Sequence, residues 1–249
     1  AKKHSVDQYT LLLLYDEKDP ITTWHSDRIY TAATKTASGD ILLVLQSQGG
    51  SIEPAYLISK TCKRLAKSKF IAVVPRKAKS AATLIALGAK EIHMGLMSEL
   101  GPIDPQFGGL PALSMQSALR QLAELSCQHP GASEMLGRFL AEKLDLRILG
   151  YFDRVNESAV QYAERLLDGK VFAEKQTAAK LARHFVDHYK DHGFVIDAEE
   201  AEKFLGNQVI KTNTAEYKFS NDLHESLDLF KFMFDVTHGK EFYYVGRVE

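Results

Sequence analysis

A serine surrounded by small residues is the first candidate for chemistry in this chain. Ser80 lies in the segment 77–83 (KAKSAAT), between an apolar run and an alanine-rich stretch that favours a helix. A serine at the start of a helix lies near unpaired N–H groups and the positive end of the helix dipole, which both stabilise a developing negative charge. Each fixed donor of this kind can stabilise an oxyanion by about 3 kcal/mol. The alternative is that Ser80 only caps the helix, because serine is a preferred N-cap residue.

Two glycines form the second candidate. Gly49 and Gly50 follow an apolar run, within residues 48–51 (QGGS). Glycine reaches backbone angles that other residues avoid, so bare N–H groups can point outward; the alternative is a tight turn without chemistry. Gly50 and Ser80 are 30 positions apart, about one strand–helix–strand step, so both turns can lie on one rim of a sheet. The chain contains no GxGxxG or GKS/T pattern, which argues against dinucleotide and P-loop sites.

Apolar runs that alternate with helical patterns predict the elements that position these residues. Continuous apolar runs are typical of strands buried on both faces, and helical spacing of apolar residues predicts the intervening helices. Predicted strands cover 11–14, 41–45, 70–74 and 91–94, and predicted helices cover 26–36, 53–66, 80–87, 114–127, 133–149, 155–167 and 173–190. The aromatic stretch 230–244 is interpreted either as a strand on the core or as a subunit contact.

This order of elements predicts an α/β fold with a parallel sheet core and a helical C-terminal half. We expect one domain over 1–249, with a βαβ core at about 8–110, a helical part at about 111–210 and a C-terminal extension at 211–249. Ligands of open parallel sheets bind beyond the carboxyl ends of the strands. Both candidate turns follow predicted strands directly, so the site is expected there.

The composition narrows the classes of partner and cofactor. The chain has 249 residues, of which 45% are hydrophobic and 25% charged, and its net charge of −1 gives no reason to expect nucleic acid or anionic membrane as a partner. Cys62 and Cys127 form neither a disulfide framework nor a metal-ligand pattern, so we expect no metal, no cofactor and a reducing, cytoplasmic compartment. No apolar run approaches the roughly 18 residues of a membrane span. His184, His188 and His192 are spaced to share one helix face, which we interpret as solvated.

The sequence around and after the two turns resembles a known family. Residues 80–95 (SAATLIALGAKEIHMG) and 98–106 (SELGPIDPQ) are similar to the KSAGTLIALGADEI-like and LGPIDPQ blocks of the serine dehydrogenase proteinases. These are Clp-fold serine peptidases of the ClpP/crotonase superfamily, related to SppA. The similarity is dense over 41–106 and continues weakly in 192–201. It implies a ClpP/crotonase-like fold.

The resemblance also implies roles for individual residues. Ser80 matches the nucleophile, and the backbone N–H groups of Gly50 and Ala81 match an oxyanion hole that holds the carbonyl oxygen during attack. Asp104 occupies the position where ClpP-like peptidases have a histidine base; it either takes part in catalysis or only shapes the surrounding proline turn. Lys79 is not expected to be the base, because adjacent side chains seldom point at each other.

The predicted function is therefore peptide-bond hydrolysis through a Ser80 acyl-enzyme, in a homo-oligomer that acts on a peptide or protein. A catalytically inactive Clp-fold module that binds peptides or partners is the main alternative, because the sequence shows no convincing general base. A crotonase-like acyl-CoA enzyme is a third interpretation. The Ser80 block argues against it, since crotonases do not use a serine nucleophile at that position.

Overall fold

The chain forms a sheet with helices on both faces. A helical segment follows the sheet core, and a helix and a strand end the chain. The computed structural model describes residues 4–35, 39–107, 110–173 and 176–248. Its strands are β1 (Thr10–Asp16), β2 (Ile41–Ser47), β3 (Phe70–Val73), β4 (Lys77–Ala78), β5 (Glu91–His93), β6 (Glu99–Leu100), β7 (Gln106–Phe107), β8 (Leu110–Pro111), β9 (Ile210–Lys211) and β10 (Tyr244–Arg247). Its α-helices are α1 (Thr23–Thr34), α2 (Ile52–Leu65), α3 (Ala81–Leu87), α4 (Ala112–Gln128), α5 (Ser133–Lys143), α6 (Leu146–Leu167), α7 (Ala178–Arg183), α8 (Ala198–Leu205) and α9 (Ala215–His238).

The main sheet is parallel except at one edge. Its order is β10-β1-β2-β3-β5-β9, and β10 alone of these runs antiparallel to its neighbour. Where β3 ends, β4 takes its place beside β2 by pairing Ala78 with Ser47, and β4 pairs with β6 on its other side. The ends of β2 and β4 therefore lie side by side. This arrangement makes the QGGS and KAKSAAT turns neighbours.

Both faces of the sheet are buried, which explains the continuous apolar runs. Successive side chains of a strand point to opposite faces. Leu12 and Leu14 of β1 join the cluster under α1, α2 and α3, whereas Leu11 and Leu13 join the cluster that Phe219 of α9 covers. The predicted α/β fold with a parallel sheet core is confirmed. The boundaries of a single domain stay a prediction.

The helices after the sheet core begin and end at different residues from those predicted. The break between the predicted helices 133–149 and 155–167 lies at Asp145, because its side chain accepts a hydrogen bond from the Arg147 N–H and so caps α6. The predicted helix 173–190 begins at α7 and continues as a π-helical turn that ends at His188. Residue 36, where one predicted helix ends, and residues 174–175, next to the predicted start of another, lie outside the described residues.

The prediction that three histidines share one helix face is wrong. Because the helix ends at His188, only His184 and His188 stack, with ring centroids 4.3 Å apart, and His192 lies in a separate turn. Among the described residues, no group of three or more histidine, cysteine, aspartate or glutamate side chains is arranged to hold a metal ion. No helix in the described ranges is both long and apolar enough to cross a membrane.

The aromatic C-terminal stretch is partly helix and partly strand. Phe230 and Phe234 lie one turn apart on α9, with ring centroids 6.0 Å apart. Tyr244 begins β10 and pairs with Tyr15 of β1. The last segment of the chain therefore closes one edge of the sheet.

Candidate active site

Ser80 begins a sharp turn between β4 and α3. Its backbone angles are φ 51° and ψ −121°, in a region that favours glycine and costs other residues about 1–3 kcal/mol. The buried Thr83 hydroxyl holds the turn, since it donates to the Ala78 carbonyl at 2.6 Å and accepts from the Gly101 N–H at 2.9 Å. Although Ser80 occupies the N-cap position of α3, its side chain makes no capping hydrogen bond to the described helix. Helix capping therefore does not explain why this residue is serine.

The glycine turn packs directly against the Ser80 turn. Gly49 and Gly50 have φ angles of 105° and 148°. A Cβ on Gly49 would lie 2.7 Å from the Ser80 Cβ, and a Cβ on Gly50 would lie 2.1 Å from the Ile21 backbone nitrogen. Only glycine allows these approaches, so the two turns meet on one rim of the sheet.

Two N–H groups at these turns, those of Gly50 and Ala81, take no part in the backbone hydrogen bonds of the described residues around them. The Ile21 N–H donates to the Gly49 carbonyl and the Ser51 N–H donates to the Ile21 carbonyl, each at 2.8 Å. In the described chain this ladder leaves the Gly50 N–H outside it. Ala81 is the first residue of α3, and N–H groups of a first helical turn have no acceptor within the helix. An oxyanion hole requires such unengaged donors.

Asp104 is a buried carboxylate with two side-chain donors. It is 3% exposed, and its Oδ1 lies 2.7 Å from Nδ1 of His192 while its Oδ2 accepts from Gln106 Nε2 at 2.8 Å. An ionised carboxylate only accepts hydrogen bonds, so the His192 proton lies on Nδ1. The neutral ring then carries a lone pair on Nε2, which is the form in which histidine acts as a general base.

Ser80 and His192 line the same cleft. The cleft has a volume of about 460 Å³, and Gly50 and Gln106 also line it. Apolar residues also line the cleft, namely Ile52, Ile103, Pro105, Tyr151 and Val155. No hydrogen bond joins Ser80 to His192 within the described residues; contacts of this kind are often long until substrate binds. The cleft thus combines a serine, an oriented imidazole and unengaged N–H groups.

The structure gathers all four predicted site residues, and it adds one that the prediction missed. Ser80 and Gly50 line the cleft, Ala81 directly follows Ser80, and Asp104 is joined to the cleft through its hydrogen bond with His192. His192 was assigned to a solvated helix face because of its spacing from two other histidines. The signal that would have identified it is its place in 192–201, where the family resemblance resumes.

Known proteins are similar in sequence to parts of this chain that include the two turns. Residues 18–128 match the family model of ClpP-like SDH-type serine proteinases. An uncharacterized protein of Methanocaldococcus jannaschii is 30% identical over 192 residues, which are 76% of this chain and 58% of that protein. A second uncharacterized protein of the same organism is 34% identical over 105 residues, which are 42% of this chain and 36% of that protein. The chain spans less than two thirds of the length of each of these relatives.

Two solved structures share the fold. They are variants of the 1510-N membrane-bound stomatin-specific protease, one with a serine changed to alanine and one with a lysine changed to alanine in complex with a substrate peptide. The first has a TM-score of 0.51 at 16% identity and covers 90% of this chain and 85% of its own. The second has a TM-score of 0.50 at 17% identity and covers 90% and 80%. The predicted ClpP-like fold is confirmed.

Proposed function

We propose that this chain, of which residues 18–128 match the family model of ClpP-like SDH-type serine proteinases, hydrolyses peptide bonds with Ser80 as the nucleophile. One observation carries the proposal: the strained Ser80 and the Asp104-bonded His192 line one cleft. A serine hydroxyl is a weak nucleophile near neutral pH until an adjacent base takes its proton. We assign the role of general base, which the sequence left open, to His192.

Acylation follows from the positions of these groups. Ser80 Oγ attacks the carbonyl carbon of the scissile peptide bond and transfers its proton to Nε2 of His192. The N–H groups of Gly50 and Ala81 donate to the oxyanion that forms. The carbon–nitrogen bond then breaks, and the amine leaves with the proton from His192. An ester between Ser80 and the acyl part of the substrate remains.

Deacylation repeats the same steps with water as the nucleophile. His192 takes a proton from the attacking water and returns it to Ser80 Oγ when the ester bond breaks. Asp104 accepts from Nδ1 of His192 throughout, so it fixes the tautomer of the ring and stabilises the imidazolium. We therefore assign Asp104 an orienting role, which is one of the alternatives that the sequence left open.

The two alternative functions, a binding module and an acyl-CoA enzyme, have less support than peptide hydrolysis. A non-catalytic binding module was suggested by the lack of a base, and the His192–Asp104 pair removes that reason. A thioester substrate has no specific support, because neither the Ser80 turn nor the apolar residues of the cleft are particular to coenzyme A. An extended peptide suits a cleft that is lined by several apolar side chains and by the glycine turn at Gly50. A homo-oligomer, a cytoplasmic location and the absence of a nucleic-acid partner stay predictions.

Cleavage of a peptide mixture tests the proposal. The purified chain, its Ser80→Ala variant and a Ser226→Ala control on α9 would each be incubated with unstructured peptides that sample many sequences, and new termini would be identified by mass spectrometry. We expect cleavage by the wild type and the control, and none above background by Ser80→Ala. Equal cleavage by all three, or none by a wild type that circular dichroism shows to be folded, would contradict the proposal.

A further inference from the structure

The residue before the nucleophile holds the segment that carries the base. Lys79 is 8% exposed, and its Nζ lies 2.8 Å from Glu99 Oε2 and 3.0 Å from the Phe194 carbonyl oxygen. It also donates to the carbonyls of Leu100 and Gly193, each at 3.4 Å. An ammonium has three donors, so the charge of Lys79 is fully engaged. This arrangement leaves no donor over for chemistry at Ser80.

The acceptors of Lys79 lie on two separate pieces of chain. Glu99 and Leu100 form β6, which pairs with β4 directly before the Ser80 turn. Gly193 and Phe194 follow His192 at once. One side chain therefore ties the nucleophile's turn, its neighbouring strand and the turn of the base to each other.

The space around Lys79 is built for this side chain. A Cβ on Gly101 would lie 2.7 Å from the Lys79 Cδ, so Gly101 leaves room for the aliphatic chain to pass. Beyond Lys79, Leu100 and Ile196 exchange backbone hydrogen bonds of 2.9 Å and 3.1 Å. The turn that carries His192 is thus anchored at Ile196 by backbone and at Gly193 and Phe194 by the ammonium.

We propose that Lys79 is a positioning residue that fixes His192 relative to Ser80, through its ion pair with Glu99 and its hydrogen bonds to the carbonyls after His192. The effect of Lys79 on catalysis rests on the proposed function. Its effect on the His192–Asp104 hydrogen bond does not depend on that function. Displacing a catalytic group by about 1 Å can cost on the order of 100-fold in rate. Loss of the tie should therefore reduce the rate of the chemical step more than substrate affinity.

Four variants separate positioning from general stability. Lys79→Met removes the ammonium but keeps much of the aliphatic chain, Lys79→Arg keeps a cation, and Glu99→Gln keeps the carbonyl bonds but removes the charge partner. Lys69→Met is the control, because Lys69 forms a partly buried ion pair with Glu91 at 3.1 Å, away from the cleft. Thermal unfolding of each variant reports whether the fold is retained.

Two signals, a proton resonance and a labelling rate, are measured together with the steady-state kinetics. Proton NMR of the folded protein would follow the downfield resonance of the His192 Nδ1–H, assigned by its disappearance in Asp104→Asn. The rate of Ser80 labelling by a fluorophosphonate would be measured on the same samples, and kcat and KM would be measured with a cleaved peptide. We expect Lys79→Met to lose or broaden the resonance and to label about 100-fold more slowly, with a larger change in kcat than in KM. Lys79→Arg should recover most of both signals, and Lys69→Met should match the wild type.

The outcomes distinguish the two proposals. A Lys79→Met protein that keeps the resonance and labels within about twofold of wild type would overturn the positioning role. If Lys79→Met does not fold, unchanged signals in Glu99→Gln together with unrescued signals in Lys79→Arg would overturn it as well. If the wild type never labels but the resonance still depends on Lys79, the positioning role holds and the peptidase proposal fails.

Discussion

The two ends of α3 differ in the role of the polar side chain that lies there. At the amino end, the chain holds Ser80 at a φ of 51° beside a cleft of about 460 Å³ that His192 also lines. At the carboxyl end, Lys170 Nζ donates to the carbonyls of Leu87 and Ala89 beside a second cavity, of about 310 Å³. Both ends have a cavity, but the strained backbone and the oriented imidazole lie together at the amino end.

Lys170 answers a structural need. The last carbonyls of a helix have no donor within the helix, and a cation is favourable there. Burial, reinforced by the charge of Lys63, lowers the pKa of Lys170 to about 7. A lowered lysine pKa often marks a functional site, yet the donors of this ammonium go to backbone carbonyls. A cavity with a perturbed pKa is therefore a weaker sign of an active site than a nucleophile and a base that share one cleft.

The largest expected effect is a difference in kcat between substitutions at the two ends of α3. We expect His192→Gln and Asp104→Asn each to lower kcat for peptide cleavage by about 10³- to 10⁴-fold, because the first removes the base and the second favours the wrong tautomer. Lys170→Met, at the other end of α3, should leave kcat within about threefold. Steady-state kinetics with one cleaved peptide would measure all three. A large loss in Lys170→Met with little loss in His192→Gln would reverse the comparison.

A substitution at Gly49 tests how tightly the turns at the amino end of α3 are packed. Alanine there would bring its Cβ within 2.7 Å of the Lys79 carbonyl oxygen and of the Ser80 Cβ, at a φ of 105°. We expect Gly49→Ala to lower the free energy of unfolding by about 2 kcal/mol or more and to abolish cleavage. Urea denaturation and the peptide assay would check this. Gly169→Ala is the control, since it also has positive φ but nothing lies within 4 Å of its added Cβ; an equal loss of activity there would contradict the account.

Lys170 predicts a pH dependence of stability at the carboxyl end. Its pKa is about 7 in the folded chain against 10.5 for the unperturbed group, so between these values the native state binds fewer protons than the unfolded state. Stability should rise with pH across this window, by at most about 1.4 kcal/mol per pH unit, and the contribution is lost as pH falls through about 7. Urea unfolding of wild type and Lys170→Met from pH 6.5 to 9 would show a wild-type stability that gains on the variant as pH rises. Parallel curves would show that the ammonium is not desolvated.

The smallest expected effect concerns strain at Ser80. Glycine adopts its backbone angles freely, whereas alanine bears the same strain as serine. We expect Ser80→Gly to be about 1 kcal/mol more stable than Ser80→Ala, although both should be inactive. Thermal and urea unfolding of the two variants would measure the difference. A Ser80→Gly protein less stable than Ser80→Ala would mean that the turn relaxes in solution.

The sheet core and its turns were largely predictable, because their signals are local. Continuous apolar runs mark strands buried on both faces, and Gly49, Gly50 and Ser80 follow two of these strands directly. The family resemblance then named four site residues. The meeting of the two turns needed only one crossover of ordinary length.

The base was not predictable from spacing, because it depends on a contact across 88 positions. His192 looked like the third member of a helical histidine row, and only the end of the helix at His188 separates it from that row. The sequence predicts that Lys79 is not the base, but it gives no sign of the contacts that Lys79 makes after His192, 114 and 115 positions away. β10 likewise pairs with β1 from the far end of the chain. Long-range pairing of this kind leaves no periodic pattern in the sequence.

The central claim is that His192 activates Ser80. Intact-mass spectrometry after treatment with a fluorophosphonate would test it on the wild type, Ser80→Ala and His192→Gln, each shown to be folded. The account predicts one added label in the wild type, none in Ser80→Ala and labelling slowed by at least about 10³-fold in His192→Gln. A wild type that takes no label, or a His192→Gln protein that labels as fast as wild type, would contradict it.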